Sequence, residues 1–533
     1  MGHDAAASAE PAPDPRTVTT PVTPSLTETP LRPSRTTPIP LTALAALADV
    51  ASGSGASDRV AITGITLRAH QVVPGDLFAA LPSLTPGRPH GADFAGTALA
   101  AGAAAVLTDP AGAQRPSLAS GPVPVLRHPD PRSVLGALAA EIYGLPSTRL
   151  AVLGITGTSG KTTTSYLLEA GLRAAGAGTG LLGTVQARIG DQHLPSAFTT
   201  PEAPDLQALL ALMVERGVTH LAMEVSSHAL ALGRVVGTAF AVGAFTNLSQ
   251  DHLDFHTDLE DYFAAKALLF DGRAAAEVVC IDDAWGRRLV TDQTTTVSLR
   301  GVDGEATWHA ADIEAGASGS QTFRAVGPGG FNQRALVRLP GTFNVTNALL
   351  ALAVADAAGA DPRLVLRGIA TAEVPGRMQR VDLGQDFLAL VDYAHKPAAV
   401  AALLDAVRAQ IPGRLLVVLG CGGDRDTGKR PLMGAEAARR ADLVVVTDDN
   451  PRSEDPAAIR AAMLTGARVG SAEVVEIPDR AAAIGYAVAR AGAGDAVVVA
   501  GKGHETGQQV HGVVHPFSDA EVLARALADR DER

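Results

Sequence analysis

Cysteine is almost missing from this 533-residue chain, which carries only Cys280 and Cys421. Two thiols cannot build a disulfide framework, so a small cross-linked secreted scaffold is excluded and a reducing compartment is indicated. No N-terminal stretch pairs a basic region with an apolar core, so no signal peptide is expected. Long apolar runs are lacking as well. The longest uncharged one, around Phe94 to Leu107, is rich in Ala and Gly and too short to cross a bilayer. It reads as a buried helix and strand, and no membrane insertion is expected. Basic charge is in deficit, with 44 Lys and Arg against 56 Asp and Glu and a formal net charge of −12. Nucleic-acid binders usually present a basic face, so no nucleic-acid partner is expected. A cytoplasmic location is expected. An acidic protein can still hold phosphates locally, through backbone N–H groups and one lysine.

Lysine is itself rare. The only ones are Lys161, Lys266, Lys396, Lys429 and Lys502, so arginine carries the generic surface charge. A compact amine that can lose its proton differs chemically from a fixed guanidinium. The five lysines are therefore candidates for specified roles, although Lys396 reads as readily as a leftover.

The chain is too long for one core, and about three or four domains are expected. Aromatics make up 4% and hydrophobic residues 46%, which fits a globular class. Residues 1–40 are rich in Pro, Thr, Ser and Ala without an apolar period and read as a disordered arm. Order is expected from Leu41, with a first mixed α/β domain over 41–147, a central domain over 148–377 and a last one over 378–533. LAVLGI, HLAMEV, VGAFTN and EVVCID are short apolar runs separated by helical stretches such as TTTSYLLEAGLRAAG. That alternation predicts βαβ units and a parallel sheet. FLALVDY, RLLVVLG, DLVVVTD and DAVVVAG predict a second sheet after the VPGR turn at Val374 to Arg377. In both units the unusual polar clusters follow the strands. Open parallel sheets bind ligands at that end, so two facing rims predict an interdomain site.

GTSGKTT, Gly157 to Thr163, follows a strand and opens a helix, the context a phosphate-binding loop requires. Gly157, Thr158, Ser159, Gly160, Lys161, Thr162 and Thr163 would wrap phosphate oxygens. Lys161 would sit at the β- and γ-phosphates and the Thr162 hydroxyl on Mg²⁺. The strict pattern asks for glycine five residues before Gly160, where this chain has Ile155. The loop is thus a variant, and an ordinary Gly-rich turn is the competing reading. Glu224, in EVSSHAL, suits a second Mg²⁺ ligand at a strand end. His252, in TNLSQDHLDFH, has Asp251, Asp254 and His256 close by in sequence, although capping or surface polarity is the default for any one of these. Lys266, in DYFAAKALLF, is an odd neighbour for Mg²⁺. It fits if its neutral amine has added CO₂, because a carbamate is an anionic oxygen ligand. On spacing alone, an exposed helix lysine is the simpler reading.

In the last unit CGGDRDTGKR (Cys421 to Arg430), DDNPR (Asp448 to Arg452) and GKGHE (Gly501 to Glu505) each follow a strand. A free amino acid carries a carboxylate and an ammonium. Arginine forks bind the first bidentately, and carboxylates or carbonyls accept from the second. Arg425, Arg452, Asp449, Asn450 and Glu505 form such a set if the loops converge; a surface salt-bridge network is the alternative.

TGTSGKTTT, EVSSHAL, TNLSQDHLDFH, GTFNVTN, VPGRMQ, DYAHKP, GCGGDRDTGKRPLMG, TDDNPR and AGKGHE occur in this order, and over roughly residue 60 to the end the chain resembles the Mur ligase family. The resemblance implies three α/β domains: an N-terminal UDP-binding domain, a central P-loop ATPase and a C-terminal Rossmann-like domain. It implies ATP-dependent addition of meso-diaminopimelate to the D-Glu γ-carboxylate of UDP-N-acetylmuramoyl-L-Ala-D-Glu in peptidoglycan synthesis, through an acyl phosphate. Lys161, Glu224, His252 and Lys266 would be catalytic, and Thr162, Glu224, His252 and carbamylated Lys266 would hold Mg²⁺. Gly157 to Thr163 would hold ATP, and Asn347 and Asp392 would contact the nucleotide. Leu67, Thr199, Thr200, Ser226 and Arg234 would bind the UDP-muramoyl dipeptide. Asp449, Asn450, Pro451 and Arg452, with Arg425, Gly501 and Glu505, would bind diaminopimelate, Arg452 pairing with its extra carboxylate. A monomer is expected. The chain departs from the family at LRAH (Leu67 to His70), where LDSR is frequent, and at Phe198 and Leu232, where Asn and Gln are common. Two other readings are a folylpolyglutamate synthase, which shares the acyl-phosphate logic, and a regulatory P-loop ATPase.

Overall fold

The computed structural model describes residues 31–50, 58–85, 87–119, 121, 123–194, 199–253, 255–299, 306–316 and 319–531. Expectations that concern residues 1–30, Phe198 and Asp254 lie outside the described residues.

Short runs of β-branched and aliphatic residues form parallel sheets because helices cover both faces. The N-terminal unit has four parallel strands, Gly64–Thr66, Asp76–Ala80, Ala105–Thr108 and Val125–Arg127. The uncharged run becomes the helix Ala95–Ala100 and the buried strand Ala105–Thr108. The central sheet has eleven strands. Its parallel heart runs in the order Thr179–Leu182, His220–Glu224, Ala151–Thr156, Phe240–Phe245, Ala274–Cys280 and Thr295–Ser298. Antiparallel ribbons extend it at both edges, Ala187–Ile189 with Gln192–Leu194 and Gln321–Gly327 with Phe331–Val337. The last sheet sets Leu388–Asp392, Ala496–Ala500, Leu415–Leu419, Leu443–Val446 and Glu473–Glu476 parallel, with Gln379–Arg380 antiparallel at one edge.

Register decides where chemistry can gather. Glu224 lies beside Ile155 and Phe245 beside Thr156, so the three following loops leave the central sheet along one rim. Asp392 and Leu419 both pair with Ala500, which aligns a second rim. One buried apolar cluster joins the two units. It runs from Leu153, Leu168 and Leu349 through Val374, Met378 and Ala394 to Leu404, Val417 and Met433. The rims are thus held by shared core, at about 25 cal/mol for each Å² of apolar surface removed from water.

Order begins before Leu41. Arg32 donates to the buried Asp76 carboxylate at 2.6 Å, the Ser34 amide donates to Glu215, and Ile39–Pro40 pairs with Ala61–Ile62. The end of the Pro/Thr-rich arm has no apolar period of its own, and these long-range partners order it instead.

At the far end, Arg480 and Asp519 form a bidentate pair at 2.7 Å with both side chains at 0% exposure. Arg480 Nη2 also donates to the Ala500 carbonyl at 2.9 Å, tying the helix Asp519–Asp531 to the strand that precedes GKGHE. Arg480→Met is expected to destabilise the fold by about 3–5 kcal/mol, because it leaves a buried carboxylate unpaired. Denaturant unfolding measures this, and adding Asp519→Leu should recover most of the loss. Among the described residues no helix is long and apolar enough to cross a membrane.

Candidate active site

The loop after the strand Ala151–Thr156 wraps into the helix Lys161–Ala174. Glycine is required at two turns. Gly157 has φ 140°, and a Cβ there would lie 1.9 Å from Thr246 Oγ1. Gly160 has φ 89°, and its Cβ would meet Asn347 Oδ1 at 2.4 Å. The next strand's loop braces the turn from outside. Asn247 Oδ1 accepts the Ser159 amide at 3.0 Å, and Asn247 Nδ2 and Thr246 Oγ1 donate to the Ser159 carbonyl at 3.1 and 2.7 Å. Lys161 Nζ donates to the Gly157 and Thr158 carbonyls at 2.8 and 3.1 Å. Burial, with Lys396 and Arg377 adding repulsion against Glu224 and Asp251, lowers Lys161 to about 8. Thr158, Thr162 and Thr163 are buried around the helix start, and Asn347 stacks beneath it with Nδ2 on Asn344.

Lys266 is 1% exposed, which overturns the surface-lysine reading. Its Nζ donates to the same Gly157 carbonyl as Lys161, at 2.9 Å, and stands 4.3 Å from the Tyr262 ring centroid. Burial, then the charges of Lys161 and Lys396, hold its pKa well below the usual lysine value. Glu224 is 1% exposed and accepts the Thr184 amide at 2.9 Å and the Thr184 hydroxyl at 3.0 Å. His252, at φ 53°, places Nε2 3.0 Å from Asp251 and packs edge-on to His228. Burial keeps its imidazole neutral, with a pKa near 4. His256, grouped with it by sequence, instead faces Ser227 Oγ at 3.0 Å from a buried position. Among the described residues no three His, Cys, Asp or Glu side chains surround one point, so a metal here would depend on Thr162 and on anionic oxygens brought by other groups. The donors suit a hard cation: a buried carboxylate, a hydroxyl and a neutral imidazole.

Beside Glu224 lies the wall expected for the acyl substrate. Thr199 and Thr184 hydroxyls are 3.1 Å apart. Thr200 donates to the Glu224 carbonyl at 3.0 Å and accepts the Ser226 amide at 3.2 Å. Ser226 caps the short helix Ser227–Ala231, and Arg234 donates to the Thr200 carbonyl at 3.3 Å while pairing with Glu202. Leu67 is not brought to this wall: it packs against the apolar cluster of the N-terminal unit, and it is its neighbour Arg68 that pairs with Asp205 at 2.9 Å in the first turn of the helix Ala203–Glu215.

The three C-terminal loops converge. Asn450 Nδ2 donates to Glu505 Oε2 at 2.7 Å, and Lys502 Nζ, fully buried, bonds Asn450 Oδ1 at 3.0 Å and Glu505 Oε2 at 2.9 Å. A Cβ on Gly501 would lie 2.6 Å from Asp449 Oδ2, and one on Gly423 2.0 Å from the Pro451 carbonyl. Arg452, at φ 54°, donates through Nη1 to the Gly423 carbonyl at 2.6 Å. Arg425 is exposed and lines, with Gln250, Leu253 and Asp424, a cleft of about 490 Å³ between the two units.

The family models agree with this arrangement along the chain. The Mur ligase middle domain matches residues 155–355, the Mur ligase glutamate ligase domain matches 376–503, and the Mur ligase family catalytic domain matches 61–143. The chain belongs to the Mur ligase family. A Corynebacterium glutamicum protein named UDP-N-acetylmuramoyl-L-alanyl-D-glutamate--2,6-diaminopimelate ligase is 53% identical over 481 residues, 88% of this chain and 92% of that protein. A Streptomyces coelicolor protein of the same name is 53% identical over 506 residues, 93% and 98% of the two chains. A solved structure of a ligase of that name superimposes with TM-score 0.66 at 33% identity, covering 92% of this chain and 99% of its own.

Arg377 and Tyr393, at the centre of this Mur ligase, escaped sequence reasoning, and Asp392 and Lys396 were named by it without the partners they have. Arg377, from the VPGR turn, donates to Thr162 Oγ1 at 3.3 Å and lies 4.4 Å over the Tyr393 ring. Asp392 accepts the Met378 and Ala394 amides, both at 2.7 Å, and so fixes the turn that carries Arg377; burial raises its pKa. Tyr393 lies under Arg377 and 5.1 Å from the His504 ring, which links the GKGHE loop to the start of the helix that follows Gly157–Gly160. Lys396 crosses to Asp251. Their motifs were visible, but nothing local names partners so distant. Of the eight described non-glycine residues with positive φ, His252, Asp424 and Arg452 belong to the loops that follow the strands of the two rims, and such strain collects at working sites.

Proposed function

We propose that this Mur ligase uses ATP to join meso-diaminopimelate to the D-Glu γ-carboxylate of UDP-N-acetylmuramoyl-L-Ala-D-Glu. The observation that carries the reading is the Gly-rich loop at a helix start with Lys161 folded onto its Gly157 and Thr158 carbonyls and Arg377 reaching Thr162 from the C-terminal side, cations gathered where a polyphosphate would lie. The names of the relatives at 53% identity supply the substrate pair. A carboxylate must approach a polyphosphate, anion against anion, and cations with helix N–H groups remove that repulsion. Lys161 and Arg377 then neutralise charge on the transferred phosphoryl group, leaving an acyl phosphate and ADP. Glu224, Thr162, His252 and Lys266 as carbamate would hold Mg²⁺, which supplies charge neutralisation and orientation of phosphate oxygens when bound.

Thr199, Thr200, Ser226 and Arg234 orient the dipeptide, and Leu67 borders the uridine end. Asn450 and Glu505, stiffened by Lys502, accept from the ammonium groups of the amino acid, while Arg425 and Arg452 take its carboxylates. Orientation of the amine against the acyl phosphate supplies the proximity contribution, and phosphate leaves from a tetrahedral intermediate. The shared core across the cleft keeps water from the acyl phosphate. The protein acts as a monomer in the cytoplasm.

The test is phosphate release from ATP with UDP-muramoyl dipeptide, with and without diaminopimelate, together with amide product detection. Turnover that needs both substrates and fails with folate substrates is expected. ATP hydrolysis indifferent to the amino acid would replace this reading with a regulatory ATPase.

A further inference from the structure

Three of the chain's five lysines gather around the Gly157 loop, Lys266 buried and Lys161 and Lys396 half-buried, in a protein whose generic positive charge is arginine. Lys161 and Lys266 belong to helices of the central unit and rest on one carbonyl. Lys396 comes from the opposite side, at the N-cap of the helix Pro397–Arg408, four residues after Asp392 ends its strand. Its ammonium reaches the Asp251 carboxylate, 145 residues away in sequence, with each side chain 17% exposed. Asp251 is shared with His252, whose Nε2 lies 3.0 Å away.

Lys161, Lys396 and Arg377 bring three cations to the rim of the Gly157–Thr163 loop, with Lys429 near Lys396, while burial disfavours charge on Lys266; the carboxylates facing them are Glu224, Asp251 and, beside Arg377, Asp392. With no nucleotide bound, these cations rest on carboxylates and carbonyls of the protein itself. The neighbouring loop is shaped for phosphates, so the anion that would draw them away is a polyphosphate. Asp251 then occupies on Lys396 the place that a phosphate oxygen takes in the loaded enzyme.

We propose that Lys396 is a phosphate-binding residue that passes from Asp251 to the terminal phosphoryl group when ATP binds. The proposal rests on the reading of the site as an ATP-dependent ligase and adds a control to it. No covalent bond changes; one ion pair opens and another forms. Because Lys396 belongs to the C-terminal unit, its phosphate contact exists only when that unit is seated on the ATPase, so nucleotide itself favours the seated arrangement.

The experiment compares full-length wild type, Lys396→Met, Lys396→Arg and Asp251→Asn. A non-hydrolysable ATP analogue and ADP are titrated by calorimetry, and KM values for ATP and diaminopimelate are measured alongside. Loss of one charge-assisted hydrogen bond predicts about 10–100-fold weaker binding of the ATP analogue by Lys396→Met. ADP binding and the KM for diaminopimelate should stay within about threefold, and Lys396→Arg, which keeps the cation, should bind the analogue close to wild type. Asp251→Asn releases Lys396 and should bind the analogue as well as wild type or better. Equal weakening by Lys396→Met and Asp251→Asn would reduce the pair to a structural clamp and overturn the proposal. Analogue binding unchanged in Lys396→Met would overturn it too. If Lys396→Met does not fold, Lys396→Gln takes the same readings. Absence of amide formation by wild type sinks the functional reading, whereas wild-type turnover with an indifferent Lys396→Met sinks this inference alone.

Discussion

Lys266→Arg is expected to lower turnover by about 10²–10³-fold while the native unfolding transition stays in place. The argument starts from burial. Lys266 is 1% exposed on the inner face of the helix Leu259–Ala267, and its Nζ has the Gly157 carbonyl and the Tyr262 ring for company. Burial, reinforced by Lys161 and Lys396, drives its pKa well down. The neutral amine therefore persists to lower pH than in a free lysine, and a neutral amine adds CO₂. The resulting carbamate places an anion beside two other lysines, which offsets their charge and supplies oxygen donors at the Gly157 loop. Arginine stays protonated and cannot make this adduct. The sign of the pH effect follows: carbamate is kept above the lowered pKa and lost as pH falls through it. Enzyme stripped of CO₂ should regain activity on adding bicarbonate, faster at higher pH. Carbon-13 NMR with labelled bicarbonate should give a carbamate signal that Lys266→Arg lacks. Near-normal turnover of that variant would discard the carbamate.

Arg452→Ala should cut kcat/KM for meso-diaminopimelate by on the order of 10²–10³-fold, the effect of leaving one partner of a desolvated ion pair alone. The KM for ATP should hardly move. The backbone at Arg452 is clamped: its amide donates to the Gln509 carbonyl at 2.9 Å and its carbonyl accepts the His511 amide at 2.6 Å. That clamp holds φ at 54°, which a non-glycine residue adopts only under constraint. With Nη1 on Gly423, the rest of the guanidinium fork is left for the carboxylate that distinguishes diaminopimelate from lysine. Wild type should prefer diaminopimelate, and the variant should lose most of that preference. Parallel losses for ATP and the amino acid would remove the specificity role. The two substitutions lie in different units and their effects should add.

Much of the architecture was readable from local pattern. The runs LAVLGI, HLAMEV and VGAFTN alternate with helical stretches, and such alternation has one economical solution, a parallel sheet covered on both faces. The loops that follow them fell on a common rim because parallel register aligns strand ends. The antiparallel ribbons at Ala187–Leu194 and Gln321–Val337 were not readable, since short polar edge strands depend on the partner they meet. Arg32 shows the same limit: composition marks its segment as unable to fold alone, and distant partners, the buried Asp76 among them, order it.

By itself the sequence determined which side chains leave the strand ends, since spacing along one chain decides turns, helix starts and glycine positions. The meeting of Arg377 with Thr162, 215 residues apart, and of Lys396 with Asp251, 145 apart, was decided only by the tertiary structure. So was the burial of Lys266, on which its chemistry turns. The physical reason is that desolvation and Coulomb energy depend on distance through space. Two sheets brought face to face by one apolar core create distances that no stretch of sequence records.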